Sequence, residues 1–226
     1  MRRMALATAF VLLAVWGASA QDATKVDPKE YKVEAENEQV RVVRVNRTPH
    51  SLAPMHEHST PYVVIALTDV HQKITTSDGK SQESTRKAGQ AAFASPVKHE
   101  ELNLENKPAQ LILVELKGKA GASKAAVPAS LDPVKLDPRS YKVEVENDLV
   151  RVVRATRGAH SKVPMHAHPA YVTVYLTDVH QKTTDAEGKV TEVTRKAGEA
   201  AINKPIQHAE DNISDQPFEA VLVELK

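Results

Sequence analysis

Short stretches of β-branched and other apolar residues alternate with turn signals along most of this chain. The stretches in the first half include Val40 to Val45, Tyr62 to Leu67 and Leu111 to Leu116, and the turns include Asp78-Gly79 and Ala88-Gly89. No stretch with a helical period is long enough to compete with this strand pattern. Regularly spaced short strands separated by turns predict an all-β sandwich or barrel.

The whole pattern occurs twice. Asp27 to Lys117 aligns with Asp137 to Lys226 with one single-residue gap, and about fifty of roughly ninety aligned positions are identical. Residues 118–134 between the copies are rich in Ala, Gly, Ser, Lys and Pro, which is the composition of a flexible linker. Each copy has the size of one compact β domain. The predicted segments are a leader over residues 1–20, domains over 21–117 and 137–226, and a linker over 118–136.

The first twenty residues have the charged, apolar and small-residue order of a secretory signal peptide. Arg2 and Arg3 precede an apolar run from Met4 to Trp16, and small residues follow up to Ala20. This run of about thirteen residues is too short to span a bilayer, which needs roughly 20. The sequence therefore predicts cleavage after Ala20 and an exported protein, either periplasmic or secreted.

Composition excludes several classes of function. The 226 residues carry 30 Lys and Arg against 29 Asp and Glu. No block of one charge would attract nucleic acid or an anionic membrane, so neither partner is expected. The absence of cysteine excludes disulfides, cysteine-bound zinc, iron–sulfur clusters and thiol catalysis. Ten histidines remain as the candidate metal ligands.

All ten histidines occupy equivalent positions in the two copies: His50 and His160, His56 and His166, His58 and His168, His71 and His180, and His99 and His208. Because His56 and His58 are two positions apart, their rings would leave the same face of a strand. His99 lies on a later predicted strand that an antiparallel barrel could bring alongside. An isolated His-x-His is also common as a polar pair on an exposed strand, so the spacing alone leaves both interpretations open.

These residues resemble the two motifs of the cupin superfamily, and their tandem arrangement resembles a bicupin. The first motif, G(X)5HXH(X)3-4E(X)6G, is matched at His56 and His58 and at His166 and His168, with His50 and His160 in the first Gly place. The second motif, G(X)5PXG(X)2H(X)3N, is matched at Gly89, Pro96, His99 and Asn103 and at Gly198, Pro205, His208 and Asn212. The chain is similar to small exported bacterial cupin-domain proteins. Both copies depart from the first motif at its carboxylate, where Val63 and Val172 stand.

The resemblance implies an all-β fold of two tandem cupin-type jelly-roll barrels, each with a divalent metal site. The implied metal ligands are His56, His58 and His99 in the first copy and His166, His168 and His208 in the second. The carboxylate ligand of the family does not carry over to either copy. The resemblance identifies no catalytic residue, and it leaves the formation of a homodimer open.

Three neutral imidazoles would leave the charge of a divalent ion uncompensated, so such a site would favour an anion. Fe, Mn, Co, Ni and Zn ions all accept imidazole ligands, and the sequence does not select one of them. We therefore expect a divalent metal ion as cofactor and a small organic anion as ligand. Two alternatives stay open: a dioxygenase-like metalloenzyme acting on a small organic acid, and a metal-free carbohydrate-binding or structural module.

Two further residue types recur near the predicted sites. Tyr62 and Tyr171 lie beside the vacant carboxylate positions and are candidate substitute ligands or proton donors. Glu101 and Glu210 follow the third histidine of each copy by two residues. They are candidates to point into the same cavity, but because acidic side chains are mostly exposed in folded proteins, we expect both on the surface.

The two copies differ close to the predicted cavities. Thr173 and Tyr175 in the second copy replace Val64 and Ala66 in the first. This difference predicts cavities that are not equivalent. His50-Ser51 does not predict a nucleophilic triad, because neighbours in sequence rarely meet with hydrogen-bond geometry and the chain has no GxSxG motif.

Overall fold

The computed structural model describes residues 21–118 and 127–226. The predicted signal peptide and residues 119–126 of the predicted linker lie outside the described residues. Within these two ranges, no helix is long and apolar enough to cross a membrane.

Each copy consists of one short helix followed by nine strands. In the first copy these are α1 (Ala23–Val26), β1 (Tyr31–Glu36), β2 (Val40–Arg47), β3 (Leu52–His58), β4 (Tyr62–Ala66), β5 (Val70–Thr76), β6 (Ser81–Arg86), β7 (Ala91–Ala94), β8 (Val97–Asn103) and β9 (Ala109–Leu116). In the second copy, after a 3-10 turn at Ala129–Leu131, they are α2 (Pro133–Leu136), β10 (Tyr141–Glu146), β11 (Val150–Arg157), β12 (Lys162–His168), β13 (Tyr171–Tyr175), β14 (Val179–Asp185), β15 (Val190–Arg195), β16 (Ala200–Asn203), β17 (Ile206–Asn212) and β18 (Phe218–Leu225).

The strands of each copy form two antiparallel sheets, and we call the two copies unit one and unit two. The five-stranded sheet of unit one has the order β1-β2-β9-β4-β7, and its four-stranded sheet has the order β3-β8-β5-β6. Unit two repeats both orders, with β10-β11-β18-β13-β16 and β12-β17-β14-β15. The predicted all-β fold of two tandem jelly-roll barrels is confirmed.

The strand pattern missed the two short helices. Each has four residues and begins after an aspartate whose carboxylate accepts a hydrogen bond from the backbone two residues on, Asp22 from Thr24 and Asp132 from Val134. A single helical turn has no hydrophobic period, so only its N-cap residue could have indicated it.

The central strands of the five-stranded sheets are buried on both faces. In β4, Tyr62, Val64 and Ala66 pack inside unit one, whereas Val63 and Ile65 pack against unit two. A strand covered on both sides is apolar at every position, which explains why β4 lacks alternation. The apolar core between the units contains Val40, Val42, Val63, Ile65, Ile112, Val114 and Leu116 of unit one and Val150, Val152, Ala170, Val172, Val174, Val221, Val223 and Leu225 of unit two.

Reciprocal hydrogen bonds frame this core between the units. Arg44 Nη2 donates to the Gly198 carbonyl at 2.6 Å, and Arg154 Nη2 donates to the Gly89 carbonyl at the same distance. Both glycines have a positive φ, 83° at Gly89 and 85° at Gly198, in the region that favours glycine. The units therefore pack through their five-stranded sheets, and each keeps a separate interior.

Candidate metal centres

Three histidines meet inside each unit, as their positions on the strands predict. His56 on β3 lies directly opposite His99 on the antiparallel strand β8, and His58 lies two residues further along the same face. Strands β12 and β17 bring His166, His168 and His208 together in the same way. In each group one ring nitrogen from every histidine lies within 4.8 Å of the other two, and all six residues are buried. The predicted ligand sets therefore form two compact groups.

A bulge in the strand precedes each His-x-His sequence. The register between β3 and β8 shifts by one residue between Ala53 and His56, where Pro54 cannot donate a ladder hydrogen bond. The Pro54 carbonyl instead accepts a hydrogen bond from His56 Nδ1 at 2.8 Å. Unit two repeats the bulge and the bond between Pro164 and His166, also at 2.8 Å. The bulge thus orients the first histidine of each group.

The hydrogen bonds on Nδ1 fix the protonation of two rings in each unit. His58 Nδ1 donates to the Glu115 carboxylate at 3.2 Å, and His168 Nδ1 donates to Glu224 at 2.6 Å. Because carbonyl and carboxylate oxygens only accept, Nδ1 carries the proton and Nε2 keeps its lone pair. A carboxylate or carbonyl behind a histidine is the usual support of a metal-binding imidazole.

The third histidine of each group supplies a test of whether a metal fits. His99 Nε2 and His208 Nε2 are buried without a hydrogen-bond partner among the described residues. Burial lowers the pKa of His99 to about 4, and it lowers the pKa of His166 to the same value, so these rings are neutral at physiological pH. Neutral, converging imidazoles with unsatisfied nitrogens are the donor set that a divalent ion accepts. The residues present therefore fit a metal ion.

A buried network lies beside each histidine group. Tyr31 donates to Glu101 Oε2 at 2.8 Å and accepts from Arg47 at 2.5 Å, and Arg47 also pairs with Glu101 directly. The Tyr31 hydroxyl stands 3.4 Å from His56 Nε2. Burial alone would raise the pKa of the Glu101 carboxyl, but Arg47 and the histidine rings outweigh it and lower this pKa to about 2.

The surface position expected for Glu101 and Glu210 is therefore wrong. Their side chains are only 14% and 12% exposed, and each is paired with an arginine that is almost fully buried, Arg47 or Arg157. These arginines lie on β2 and β11, more than fifty residues away in sequence from the glutamates they pair with. The pairing depends on the fold, and the local sequence around Glu101 and Glu210 gives no sign of it.

A cavity adjoins each histidine group. The cavity of unit one has a volume of about 330 Å³, and that of unit two has about 180 Å³. Arg86 and His58 both line the cavity of unit one, and Arg195 and His168 both line the cavity of unit two. Sequence reasoning missed these arginines as site residues, although both open the RKAG sequence that the two copies share. The cavity wall of unit one therefore contains Arg86, and that of unit two contains Arg195 together with Arg157.

Solved structures share this architecture over most of the chain. AerE from Microcystis aeruginosa is 11% identical, covers 87% of this chain and 97% of its own, and has a TM-score of 0.59. A variant of the oxalate decarboxylase of Bacillus subtilis is 11% identical, covers 86% of this chain and 71% of its own, and has a TM-score of 0.60. The protein has the tandem cupin fold.

One further solved structure covers less of the chain. A cupin domain from Bordetella pertussis is 26% identical and covers 39% of this chain and 92% of its own, with a TM-score of 0.37. No protein-family model matches the chain, and no curated protein matches it.

The cupin fold corrects the position assigned to the missing carboxylate. Val63 and Val172 pack in the core between the units, on the far side of the sheet from the histidines. Tyr62 and Tyr171 take the inward position instead, with ring centroids 4.7 and 5.0 Å from those of His58 and His168. An aromatic ring therefore stands next to His58 and to His168.

The other cupin motif residues have backbone roles. His50 and His160, in the first Gly place, adopt positive φ values of 56° and 55°, which histidine tolerates better than most residues do. Asn103 Nδ2 donates to the carbonyls of Thr48 and Lys107 and closes the turn after β8. His71 is exposed and bonds Glu83 at 2.8 Å, away from the site.

No nucleophilic triad forms at His50-Ser51. The imidazole of His50 bonds Asn106 at 2.7 Å, whereas the Ser51 hydroxyl donates to the Thr48 carbonyl at 2.9 Å. The two side chains therefore serve different turn contacts, as the sequence argument predicted.

Proposed function

We propose that this protein is an exported tandem cupin that binds a divalent metal ion in each unit and a small organic anion at the metal. One observation carries the proposal: His99 Nε2 and His208 Nε2 are buried without a partner in three-histidine groups, each beside a cavity with an arginine in its wall. The histidines would hold the ion, and the cavity would hold the anion.

The charges around the site support an anionic ligand. The two carboxylates beside the histidines of unit one are each paired with an arginine, Glu101 with Arg47 and Glu115 with Arg41 at 2.5 Å, and these arginines also pair with Glu30 and Asp22. Unit two has the same pairs, formed by Glu210 with Arg157 and by Glu224 with Arg151. Because these carboxylates are engaged by arginines and none of them belongs to the two histidine groups, an organic carboxylate is the ligand that would compensate a bound divalent ion.

The chain's own residues would orient such an anion. Arg86 and Arg195 offer forked N–H donors suited to a carboxylate. The Tyr31 hydroxyl, held by Arg47 and Glu101, supplies a fixed hydrogen-bonding group close to His56. When bound, a divalent ion would act as a Lewis acid that polarises the ligand oxygens. Mn(II) centres are described for the oxalate decarboxylase of Bacillus subtilis, which has this fold.

Export is the part of the proposal that rests on sequence alone. The basic residues Arg2 and Arg3, the apolar run and the small residues before Gln21 support it. We expect protein isolated from the exported fraction of cells to begin at Gln21. An N-terminus at Met1 in that fraction would contradict the cleavage.

Calorimetric titration of the mature chain with glycolate tests the binding function. We expect the Mn(II)-loaded protein to bind glycolate and the chelated protein to lose this binding. Replacing both cavity arginines, Arg86→Gln with Arg195→Gln, should weaken binding by about 10-fold or more, because a charge-assisted hydrogen bond is lost in each unit. The matched control is Arg139→Gln, because the Arg139 side chain is 95% exposed and far from either cavity.

The same preparation separates the alternatives. Ligand affinity that survives chelation would favour the metal-free carbohydrate-binding or structural module. Oxygen uptake by the Fe(II)-loaded protein with an organic acid would favour the dioxygenase-like enzyme. Binding that needs metal, without turnover, is the result that the present proposal predicts.

A further inference from the structure

At four positions around the cavities unit two is more polar than unit one, although its Val193 replaces Ser84 of unit one. Residues that are aliphatic in unit one are replaced by residues with hydrogen-bonding side chains in unit two. The equivalent positions are Val64 and Thr173, Ile74 and Thr183, Ala94 and Asn203, and Ala66 and Tyr175. The histidines, the tyrosine–glutamate–arginine network and the cavity arginine are the same in both units. The differences in polarity thus lie in the part of the site that would contact the body of a ligand. The network differs less: Ser140 replaces Glu30, and the tyrosine hydroxyl lies 2.7 Å from His166 Nε2 in unit two against 3.4 Å from His56 Nε2 in unit one.

Size changes together with polarity. Tyr175 replaces Ala66, and Phe218, which lines the cavity of unit two, replaces Ala109. These larger side chains accompany the decrease in cavity volume from about 330 Å³ in unit one to about 180 Å³ in unit two. Leu111 and Leu113, on the neighbouring strand β9, also line the cavity of unit one; Leu222 keeps the position of Leu113 in unit two, and the smaller Ala220 replaces Leu111. Unit one thus offers the larger cavity, with an apolar wall along β4 and β9.

Unit two also contains an unsatisfied hydrogen-bond acceptor in its cavity. Gln181 Nε2 donates to Glu210 Oε1 at 3.2 Å, as Gln72 Nε2 donates to Glu101 Oε1 at 3.1 Å in unit one, and because a carboxylate only accepts, these bonds fix the orientation of both amides. The remaining oxygen, Gln181 Oε1, is buried without a partner among the described residues. A buried unpaired acceptor is costly, and a ligand with a hydroxyl group would satisfy it.

The polar wall residues of unit two are fixed in place. Asn203 Nδ2 donates to Thr173 Oγ1 at 3.0 Å and to the Ala201 carbonyl at 3.1 Å. Both amide donors of Asn203 are thereby used inside the protein. The side chains around this cavity are therefore held by contacts that do not depend on a ligand, which favours a selective site.

We infer that the two units are specialised for different organic anions: unit one for an acid with an aliphatic tail, and unit two for a short acid with a hydroxyl-bearing tail. This inference rests on the proposed function, because it presupposes that both cavities hold the anion beside a metal ion. The shared histidines and arginine would bind the common carboxylate end. The differing walls would select the tail.

Two α-hydroxy acids with the same metal-facing end test the inference. The probes are α-hydroxyisocaproate, which has a branched aliphatic tail, and glycerate, which has a hydroxymethyl tail. Each is titrated calorimetrically into the full mature chain loaded with Mn(II), and into two variants that retain one site each. His166→Ala with His168→Ala leaves unit one, and His56→Ala with His58→Ala leaves unit two.

We expect unit one to bind α-hydroxyisocaproate at least about 10-fold more tightly than glycerate, and unit two to show the reverse order, because a few methyl groups in an apolar pocket give discrimination of this size. Transferring the wall of unit one to unit two, with Thr173→Val, Tyr175→Ala and Asn203→Ala, should reverse the preference of unit two. The single substitution Ala94→Asn in unit one provides an independent test, and it should weaken α-hydroxyisocaproate binding there.

The outcomes separate this inference from the proposed function. If both units bind both acids with equal affinity, specialisation is overturned and metal-dependent anion binding stands. If the metal-loaded chain binds neither acid, both are overturned. A preference that follows the exchanged wall residues supports the inference.

Discussion

The two faces of the five-stranded sheet in each unit have different roles, although the central strands are buried on both faces. On β4, Val63 and Ile65 join an apolar core between the units, whereas Tyr62 and Val64 line a cavity that contains histidines, a paired carboxylate and an arginine. Between the copies, the buried core between the units exchanges only apolar residues, whereas the interior face also exchanges apolar for polar ones. The core between the units can therefore be expected to determine stability, and the interior face to determine what is bound.

The largest effect should come from breaking the buried ion pairs of the interior face. Arg47→Ala leaves Glu101 and Glu30 without their partner, and the Arg47 side chain is only 2% exposed. We expect the metal-free protein to lose about 3–5 kcal/mol of unfolding free energy in urea denaturation. Arg139→Ala, on the surface, is the control and should change it by less than about 0.5 kcal/mol. A loss below about 1 kcal/mol for Arg47→Ala would show that the network does not stabilise the interior.

The core between the units should affect stability without affecting the site. Ile112 is fully buried in this core, so Ile112→Ala should cost about 2–5 kcal/mol of unfolding free energy. The metal content of this variant should equal that of the unchanged protein, because the side chain lies on the far face of the sheet. Metal content that falls with Ile112→Ala in folded protein would contradict the separation of the two faces.

Acid should destabilise the metal-free protein through the interior face. Burial lowers the pKa of His99 and of His166 from 6.5 to about 4. Between these values the unfolded chain binds more protons than the folded one, so stability is full above pH 6.5 and is lost as the pH falls towards 4. Each pKa unit corresponds to about 1.4 kcal/mol, which makes about 3 kcal/mol an upper bound for each ring. Urea denaturation between pH 6.5 and 4 should show this decrease in unfolding free energy. The variant His99→Gln should show a smaller decrease. An unchanged pH dependence in that variant would exclude His99 as a cause.

The smallest effect should come from the reciprocal hydrogen bonds at the border between the units. Arg44→Ala and Arg154→Ala each remove one bond to a glycine carbonyl of the other unit. We expect each to lower the unfolding free energy by about 1 kcal/mol, measured by thermal denaturation. Strongly unequal losses, with one variant unchanged, would mean that the two ends of the shared core are not equivalent.

The strands and the histidine groups could be predicted from sequence, because a period of two and a duplication are local signals. The face of β4 that meets the histidines could not be predicted from sequence. Every residue of this strand is buried, and a shift of one position exchanges the two faces. For this reason the motif spacing points to Val63 as the residue at the carboxylate position, whereas Tyr62 occupies the inward position. The buried position of Glu101 could not be predicted either, because its partner Arg47 is on a distant strand.

The central claim is that each unit holds one metal ion through its three histidines. Mass spectrometry of metals in the mature protein, purified without an affinity tag or added metal, tests it beside the variant with His56→Ala and His166→Ala. We predict near-stoichiometric Fe, Mn, Co, Ni or Zn, with a large decrease in the variant. Metal well below one equivalent that is not restored by reconstitution would contradict the claim and leave two histidine-lined barrels with a binding or structural role.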